Sequence, residues 1–246
     1  MVNVLLTISY DGTNYSGWQR QKNSVSVQEE TEKALTKLLS ERIALTGSSR
    51  TDAGVHALCQ KASFKINTLK IPIEKLPLAV NPFLPKDIAI KMAEIVNPDF
   101  HPRFSAKQKT YEYKIYNNKT PNPLIRRYCA YERRDLDIYL MKEAAKYFIG
   151  EHDFTAFKAV GGSTKTSIRE IYDCSIKKSD NIITISVTGT GFLYNMVCII
   201  AGTLLYVGLR RIMPYEIQKI ILSKDRKMAG KTMPPEGLVL VEVFYL

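Results

Sequence analysis

The feature that most constrains the fold is an alternation of two hydrophobic periods along the chain. Residues 2–10, VNVLLTISY, place apolar side chains at every second position, which predicts a strand. Residues 26–40, SVQEETEKALTKLLS, carry apolar residues at helical spacing behind a Ser-x-x-Glu capping box, which predicts a helix. The chain is therefore predicted to pack helices against sheets.

The first half continues this alternation as far as residue 96. The pattern predicts a short strand at 42–46, a strand at 60–66, a helical turn at 73–80 and a strand at 87–96. The order of elements in this half is then β-α-β-β-α-β.

The second half is predicted to repeat that order. A strand at 109–117 precedes a helix that starts at Asp135 and is stopped by Gly150. The elements that follow are a hairpin of strands 168–177 and 182–188 joined by SDN, a core helix at 192–209, a shorter helix after Pro214 and a closing strand at 237–246.

This order of elements is that of the ferredoxin-like split unit, which the RRM module also uses. We predict an α+β fold of two ferredoxin-like, RRM-like halves, residues 1–104 and 105–246. Their antiparallel-rich sheets are expected to lie side by side around a basic cleft. The boundary is placed in the loop NPDFHPRFSAKQ, residues 97–108, which contains two prolines. The duplication rests on element order alone, because the halves share no visible sequence repeat.

The charge balance of the chain is basic. It has 35 Lys and Arg against 24 Asp and Glu, a net charge of +11. Such a balance favours a polyanionic partner, usually a nucleic acid or an anionic membrane surface, although simple solubility is the alternative explanation.

Cysteine usage and the N-terminus bear on the compartment. The four cysteines are far apart, form no CxxC pair and are accompanied by only three histidines. This argues against a zinc or disulfide framework and favours a reducing cytoplasm. The N-terminal MVNVLLTISYDG has no basic region of a signal peptide, and the most apolar stretch, residues 196–209, is too short to span a bilayer. We therefore expect no membrane association.

Residues 47–57, GSSRTDAGVHA, are the first candidate site. One interpretation is a polar turn, because Asp accepts backbone N–H groups and Gly tolerates positive φ. The other is catalytic, with Asp52 as an ionised and partly shielded nucleophile and Arg50 offsetting the effect of burial on its pKa. Arg50 and Asp52 are two residues apart, so they can pair, or divide an RNA phosphate and a base between them. Chemistry on a nucleotide flipped from its stack fits this second interpretation.

A strand of alternating basic and aromatic residues is the second candidate. Lys107, Lys109 and Lys114 surround Tyr111 and Tyr113. Basic residues interleaved with aromatics suit a phosphate track with a stacking platform. The alternative is that the tyrosines belong to the core of the sheet, which is the preferred interpretation for Tyr113.

Several ordered segments together resemble the bacterial tRNA pseudouridine synthase A family along nearly the whole chain. The segment around Asp52 is the most specific. The matching pieces are YDGTNYSGWQRQ with SVQE (10–21, 26–29), SSRTDAGVHA (48–57), FHPRFSAKQKTYEYKIYN (100–117), GEHDFTAF (150–157), GFLYNMV with AGTLLYVG (191–197, 201–208) and PPEGLVLVEV (234–243).

The resemblance implies isomerisation of uridine to pseudouridine in the tRNA anticodon stem-loop, at positions 38, 39 and 40. It implies no cofactor, no metal, and a homodimer in which one tRNA touches both subunits. Asp52 matches the catalytic aspartate, a nucleophile at ribose C1′ or base C6. Tyr111 matches a tyrosine that packs on the uracil, Arg50 an arginine linked to base flipping, and Leu238 an apolar residue of the pocket.

One position departs from the family pattern. The core helix usually reads MVR, and that arginine pairs with the catalytic aspartate, whereas this chain reads MVC with Cys198. A thiol cannot supply the positive charge, so the pKa of Asp52 should be higher unless another cation replaces it. The competing hypothesis is therefore a tRNA-binding or RNA-chaperone relative with weakened or lost catalysis. A dinucleotide-binding enzyme is disfavoured, since no GxGxxG follows a strand.

Overall fold

The structure is a computed structural model that describes residues 1–162 and 164–245. Within these residues the fold is mixed α+β, with five α-helices and strands that are mostly antiparallel. The chain divides into two compact units, one formed by Met1–Lys107 with the segment from Leu240 onwards, the other by Gln108–Val239. The closing strand therefore contributes most of its length to the first unit.

The strands and helices have the following bounds. The strands are β1 (Val2–Tyr10), β2 (Thr46–Gly47), β3 (His56–Ile66), β4 (Ile88–Val96), β5 (Gln108–Asn117), β6 (Ala130–Glu132), β7 (Gly150–Asp153), β8 (Ile168–Ser179), β9 (Ile182–Gly189) and β10 (Leu238–Phe244). The helices are α1 (Val27–Leu39), α2 (Leu76–Val80), α3 (Ile138–Ala145), α4 (Met196–Gly208) and α5 (Glu216–Ser223).

The sheet of the first unit has the strand order β4-β1-β3-β10, and β2 also pairs with β3. The strand β1 is antiparallel to both β3 and β4. Alternation along β1 points Val4, Leu6 and Ile8 to one face, where all three are fully buried. Helix α1 buries Val27 and Leu35 completely and begins where Ser26 accepts a hydrogen bond from the Glu29 N–H at 3.3 Å, as the capping box predicts.

The sheet of the second unit has the order β5-β9-β8-β7, with β6 parallel to β5. Helix α4 is buried on nearly all sides, which suits its almost entirely apolar sequence. Gly202 of α4 permits a close approach, because a Cβ there would lie 1.8 Å from the Lys231 carbonyl oxygen. None of the helices that the structure describes is long and apolar enough to cross a membrane.

Most predicted elements are present, but the strand predicted at 42–46 is wrong for most of its length. Only β2, Thr46–Gly47, is observed there. The Ile43 N–H donates to Thr36 Oγ1 at 3.0 Å, and the Leu45 N–H donates to Glu32 Oε1 at 2.8 Å. Side chains of α1 thus satisfy backbone groups that a sheet partner would otherwise satisfy.

Two predicted helix starts are also wrong. Asp135 is exposed and pairs with Lys119 at 2.8 Å, whereas Asp137 caps α3 by accepting the Leu140 N–H at 3.1 Å. A 3-10 turn, Lys146–Phe148, continues α3 to within two residues of Gly150, which has a positive φ of +107° and begins β7, so the predicted stop at Gly150 agrees with the structure. Helix α4 begins at Met196, not at 192, because Asn195 has a left-handed φ of +58°. The short strands β6 and β7 were not predicted, and residue 246 of the predicted last strand lies outside the described residues.

Candidate active site

Asp52 lies in the loop between β2 and β3, and backbone hydrogen bonds fix the residues on both sides of it. The Trp18 N–H donates to the Thr51 carbonyl at 3.0 Å, and the hydroxyls of Tyr10 and Thr51 share a hydrogen bond of 2.6 Å. On the other side, the Gly54 N–H donates to the Tyr15 carbonyl at 3.3 Å. The segment that follows β1 therefore holds the Asp52 loop in place.

The loop is a turn of the kind that the sequence predicts. The Val55 N–H donates to the Asp52 carbonyl at 3.1 Å, which closes a four-residue turn. Gly54 is the third residue of that turn and has φ of +78°, a conformation that glycine adopts without strain. Gly54 thus makes the bend that presents Asp52, in agreement with the interpretation of residues 47–57 as a turn.

A second glycine permits the supporting segment to approach the loop. Gly17 has φ of +91°, and a Cβ at this position would lie 2.4 Å from the Thr51 carbonyl oxygen. Such a contact is shorter than real Cβ atoms show, and the atom it meets is backbone that is already hydrogen-bonded. Gly17 is thus required for the geometry on which Asp52 depends.

Burial dominates the electrostatics of Asp52. The side chain is half-buried, and burial raises the pKa of Asp52 from its ordinary range to about 6. Arg50 is exposed, and within residues 1–162 and 164–245 it forms no ion pair with Asp52. The possibility that Arg50 offsets the burial of Asp52 by pairing with it is therefore not realised, and the Arg50 guanidinium remains available to a ligand.

Tyr111 and Tyr113 lie on the same face of β5 in the second unit. Tyr113 is fully buried, and its hydroxyl donates to the Pro234 carbonyl at 2.6 Å, so its interpretation as a core residue is confirmed. Tyr111 is 7% exposed and packs edge-on against Phe192, with ring centroids 5.1 Å apart. Tyr111 thus has a fixed ring orientation with a small accessible surface.

Leu238 and Cys198 are buried in the second unit. Leu238 begins β10 directly after a 3-10 turn whose Gly237 packs on Tyr113, since a Cβ there would lie 2.6 Å from the Tyr113 Cζ. Cys198 lies on α4 with 2% of its surface exposed, and its carbonyl accepts the Met233 N–H at 3.2 Å. The first unit thus carries Arg50 and Asp52, and the second carries Tyr111, Cys198 and Leu238.

The sequence analysis missed one group of residues in the first unit. His101, Arg103 and Phe104 line the same cavity as Trp18 and Arg50. Their segment was interpreted as the boundary loop and as one of the pieces that resemble the family, but none of the three was named as a site residue. The available signal was the interleaving of aromatic and basic residues in FHPRF. As for metal ligands, no group of three or more His, Cys, Asp or Glu in the described part of the chain could hold a metal ion.

Comparisons with known proteins identify the family of the chain. The family described as tRNA pseudouridine synthase matches residues 6–105 and 144–246. The tRNA pseudouridine synthase A of Thermoanaerobacter sp. is 53% identical over 245 residues, covering 100% of both chains. Those of Caldicellulosiruptor saccharolyticus and Clostridium acetobutylicum are 52% and 49% identical over 245 residues, again covering 100% of each chain. The chain therefore belongs to the tRNA pseudouridine synthases, isomerases that convert uridine in tRNA to pseudouridine.

Proposed function

We propose that this protein isomerises uridine to pseudouridine at positions 38, 39 and 40 of the tRNA anticodon stem-loop, with Asp52 as the nucleophile. The observation that carries the proposal is the Asp52 turn. Its carboxylate is half-buried, its neighbours on both sides are hydrogen-bonded in place, and its pKa is raised to about 6. A nucleophile needs this combination of fixed aim, partial shielding and ionisation near neutral pH.

The reaction requires no net change in atoms or electrons. Asp52 attacks the target nucleotide at ribose C1′ or at base C6, and the N1–C1′ glycosidic bond breaks. The uracil then turns over, a C5–C1′ bond forms, and the bond between Asp52 and the nucleotide breaks, which releases the Asp52 carboxylate. The proton on C5 is lost and N1 is protonated, so the product is an isomer of the substrate. With a pKa of about 6, roughly nine tenths of the Asp52 carboxyl is ionised at pH 7.

The remaining site residues are assigned by the family pattern. Tyr111 packs against the target uracil, for which its fixed edge-on contact with Phe192 supplies a rigid ring. Arg50 assists in displacing the target base from its stack, and its exposed guanidinium supports this role. Leu238 contributes to the apolar wall of the pocket. Cys198 occupies the position of the family arginine and supplies no charge.

We further propose that the two halves, residues 1–104 and 105–246, are ferredoxin-like units around a basic cleft, and that the enzyme acts in the cytoplasm as a homodimer. In support, β1 of the first unit is antiparallel to β4 and β3, and β3 is also antiparallel to the two-residue strand β2. Helix α1 lies between β1 and β2 along the chain, and α2 lies between β3 and β4. In the second unit, α3 separates β5 from β8, and β9 lies between those two strands.

The test uses an unmodified tRNA transcript that carries uridines at positions 38 to 40. Incubation with the protein should produce pseudouridine at those positions, and Asp52→Ala should abolish the product while tRNA binding is retained. Asp99→Ala, an exposed carboxylate of the same unit, is the matched control and should behave as wild type. Binding of tRNA by the wild type without any product would support the alternative, a tRNA-binding relative without catalysis, for which the replacement at Cys198 is the specific observation.

A further inference from the structure

A cavity of about 250 Å³ opens beside Arg50 in the first unit. Its lining residues include Arg50 but not Asp52, the proposed nucleophile. Its volume is about eight times the ~30 Å³ that one water occupies, which is more than a phosphate ion needs. The residues on which the argument depends are Trp18, Gln28, Arg50, His101, Arg103 and Phe104.

The cavity carries positive charge that no neighbour neutralises. Arg50 and Arg103 both line it, both are exposed, and neither guanidinium has a hydrogen bond or an ion pair with another described residue. No acidic side chain is among the described residues that line the cavity. Two such cations on one cavity wall favour an anionic ligand.

The carboxylate of Glu32, which is hydrogen-bonded to two residues that line the cavity, is already satisfied. Glu32 Oε1 accepts the Gln28 Nε2–H at 2.9 Å and the Leu45 N–H at 2.8 Å, while Glu32 Oε2 lies 3.4 Å from Arg20. The Glu32 charge is therefore engaged by α1 and Arg20, and Gln28 is held as a fixed part of the cavity wall.

An aromatic platform stands at the mouth of the cavity. The His101 Nδ1 accepts the backbone N–H groups of Arg103 at 3.1 Å and Phe104 at 3.3 Å, which leaves the Nε2–H as a donor. The His101 and Phe104 rings pack with centroids 4.3 Å apart, yet Phe104 is 78% exposed. One side of the Phe104 ring is thus supported by His101, and a large surface is open to a second planar group.

We propose that this cavity binds an unpaired nucleotide of the tRNA substrate other than the target uridine. The phosphate contacts Arg50 and Arg103, and the base stacks on Phe104. The identity of the RNA as tRNA rests on the proposed function. The cavity is then a second nucleotide site, in addition to the site of the target uridine. Cationic side chains next to an exposed aromatic ring are the features by which proteins bind single-stranded RNA. A contact of this kind positions the anticodon arm, because phosphate contacts fix the register of a nucleic acid on a protein.

The first test uses the only tryptophan of the chain, Trp18, which lines the cavity. Titration with a five-nucleotide single-stranded RNA should change Trp18 fluorescence, and Phe104→Ala should weaken the apparent affinity about tenfold through loss of stacking. Tyr139→Ala, an aromatic side chain that is 72% exposed on α3, is the control and should leave the titration unchanged. Inorganic phosphate at the same ionic strength should not reproduce the change, and a phosphate response equal to that of the RNA would overturn the nucleotide assignment.

The second test measures the salt dependence of tRNA binding. Arg103→Gln should make the slope of log Kd against log salt shallower by about 0.7 to 0.9, the value of one phosphate contact. It should also raise KM while lowering the rate at saturating tRNA less than about twofold. Arg42→Gln removes the same charge from an exposed position of the same unit outside the cavity lining, and it should change neither quantity.

The two proposals fail in different ways. If the wild type forms no pseudouridine, the proposed function is wrong, while the Trp18 titration and the salt slope still report whether the cavity binds RNA. If the wild type is active but Arg103→Gln and Phe104→Ala match Arg42→Gln and Tyr139→Ala in both tests, the cavity assignment is wrong and the proposed function stands.

Discussion

Asp52 combines two properties that oppose each other. Partial burial shields the carboxylate from water, and the same burial raises its pKa to about 6 because the charged form loses hydration. In this chain the opposition is not relieved by Arg50, which forms no ion pair with Asp52 in the part of the chain that the structure describes. The protonation state of one residue therefore sets the lower pH limit of the proposed reaction.

The first prediction concerns that limit and the residue at position 198. The kcat/KM for unmodified tRNA should rise with pH through an acidic limb near pH 6, because only ionised Asp52 is nucleophilic. Cys198→Arg restores the charge that the family pattern carries and should move this limb to lower pH by about one unit or more. The pH profiles of both proteins, measured at the same ionic strength, check the shift.

Cys198 is buried, so the larger side chain carries a cost in packing. Cys198→Met adds bulk without charge and is the matched control, and the Tm of each variant shows whether it folds. A folded Cys198→Arg variant whose acidic limb coincides with that of the wild type would show that the charge of this position does not reach Asp52.

The second prediction is that Asp52→Asn stabilises the protein while abolishing its activity. Because the folded-state pKa of Asp52 is raised, its contribution to stability is complete below its ordinary pKa and is lost as the pH rises through about 6. At pH 7 the variant should be more stable by about 1–2 kcal/mol, after discounting the pKa shift for the part of the carboxyl that meets solvent. Urea unfolding at pH 7 and pH 4 measures the difference.

The gain should nearly vanish at pH 4, where folded wild-type Asp52 is protonated. Asp99→Asn is the control, because Asp99 is exposed, and we expect no pH-dependent gain from it. An equal gain from Asp52→Asn at both pH values would show that the charge of Asp52 is not its cause.

Individual site residues were predictable from the sequence to different degrees. The turn that contains Gly54 was predictable, because glycine adopts a positive φ in a turn without strain. The relation of Arg50 to Asp52 was not predictable, because a spacing of two residues fixes neither the side on which a turn presents each side chain nor the rotamer of a long arginine. The hydrogen bonds from the backbone N–H groups of residues 103 and 104 to His101 were also not predictable, because they depend on the path of an irregular loop.

At the scale of elements, the active loop depends on the chain that follows β1. Trp18 and Tyr15 hydrogen-bond to the loop backbone, and Gly17 lies between them against Thr51. These residues belong to no strand or α-helix, yet they decide where Asp52 points. The rigidity of the site is thus supplied by one irregular segment packed on another.

The third prediction tests that dependence. Gly17→Ala places a Cβ 2.4 Å from the Thr51 carbonyl oxygen and should displace the loop, lowering the single-turnover rate at least about tenfold. Gly161→Ala is the matched control, since Gly161 has a similar φ of +98° but a Cβ there would meet nothing within 4 Å. Both variants incur the strain of a left-handed conformation, so the excess loss of rate in Gly17→Ala measures the crowding at the loop.

Strands and helices were predictable where one face of the element is buried and its period is unbroken. The alternation of β1 and the capping box of α1 each have a single structural solution, and both are observed. The strand predicted at 42–46 failed because Thr36 and Glu32 satisfy its backbone from a helix, a tertiary contact that no local pattern encodes. The short strands β6 and β7 were not predicted for a different reason. Three or four residues carry too little periodicity to be recognised as a strand.

At the scale of the whole molecule, the net charge of +11 is the property that most directly matches a tRNA substrate. Part of that charge is neutralised locally, as in the ion pairs Arg134–Glu132 at 2.7 Å and Arg210–Asp137 at 2.9 Å. Other cations, among them Arg50 and Arg103, have no acidic partner among the described residues. Basic side chains are therefore available for phosphate contacts, but they are fewer than the 35 Lys and Arg of the sequence.

The fourth prediction follows from that balance. If at least five basic side chains contact phosphates, the slope of log association constant against log salt for tRNA should be steeper than about −3.5. Equilibrium binding measured between about 50 and about 300 mM salt gives the slope, because the screening of surface charge increases over this range. Asp52→Ala should give the same slope as the wild type, because the role proposed for Asp52 involves the reacting nucleotide and no phosphate contact. A slope near zero would assign the basic excess to solubility, and binding would then depend on stacking and shape instead of charge.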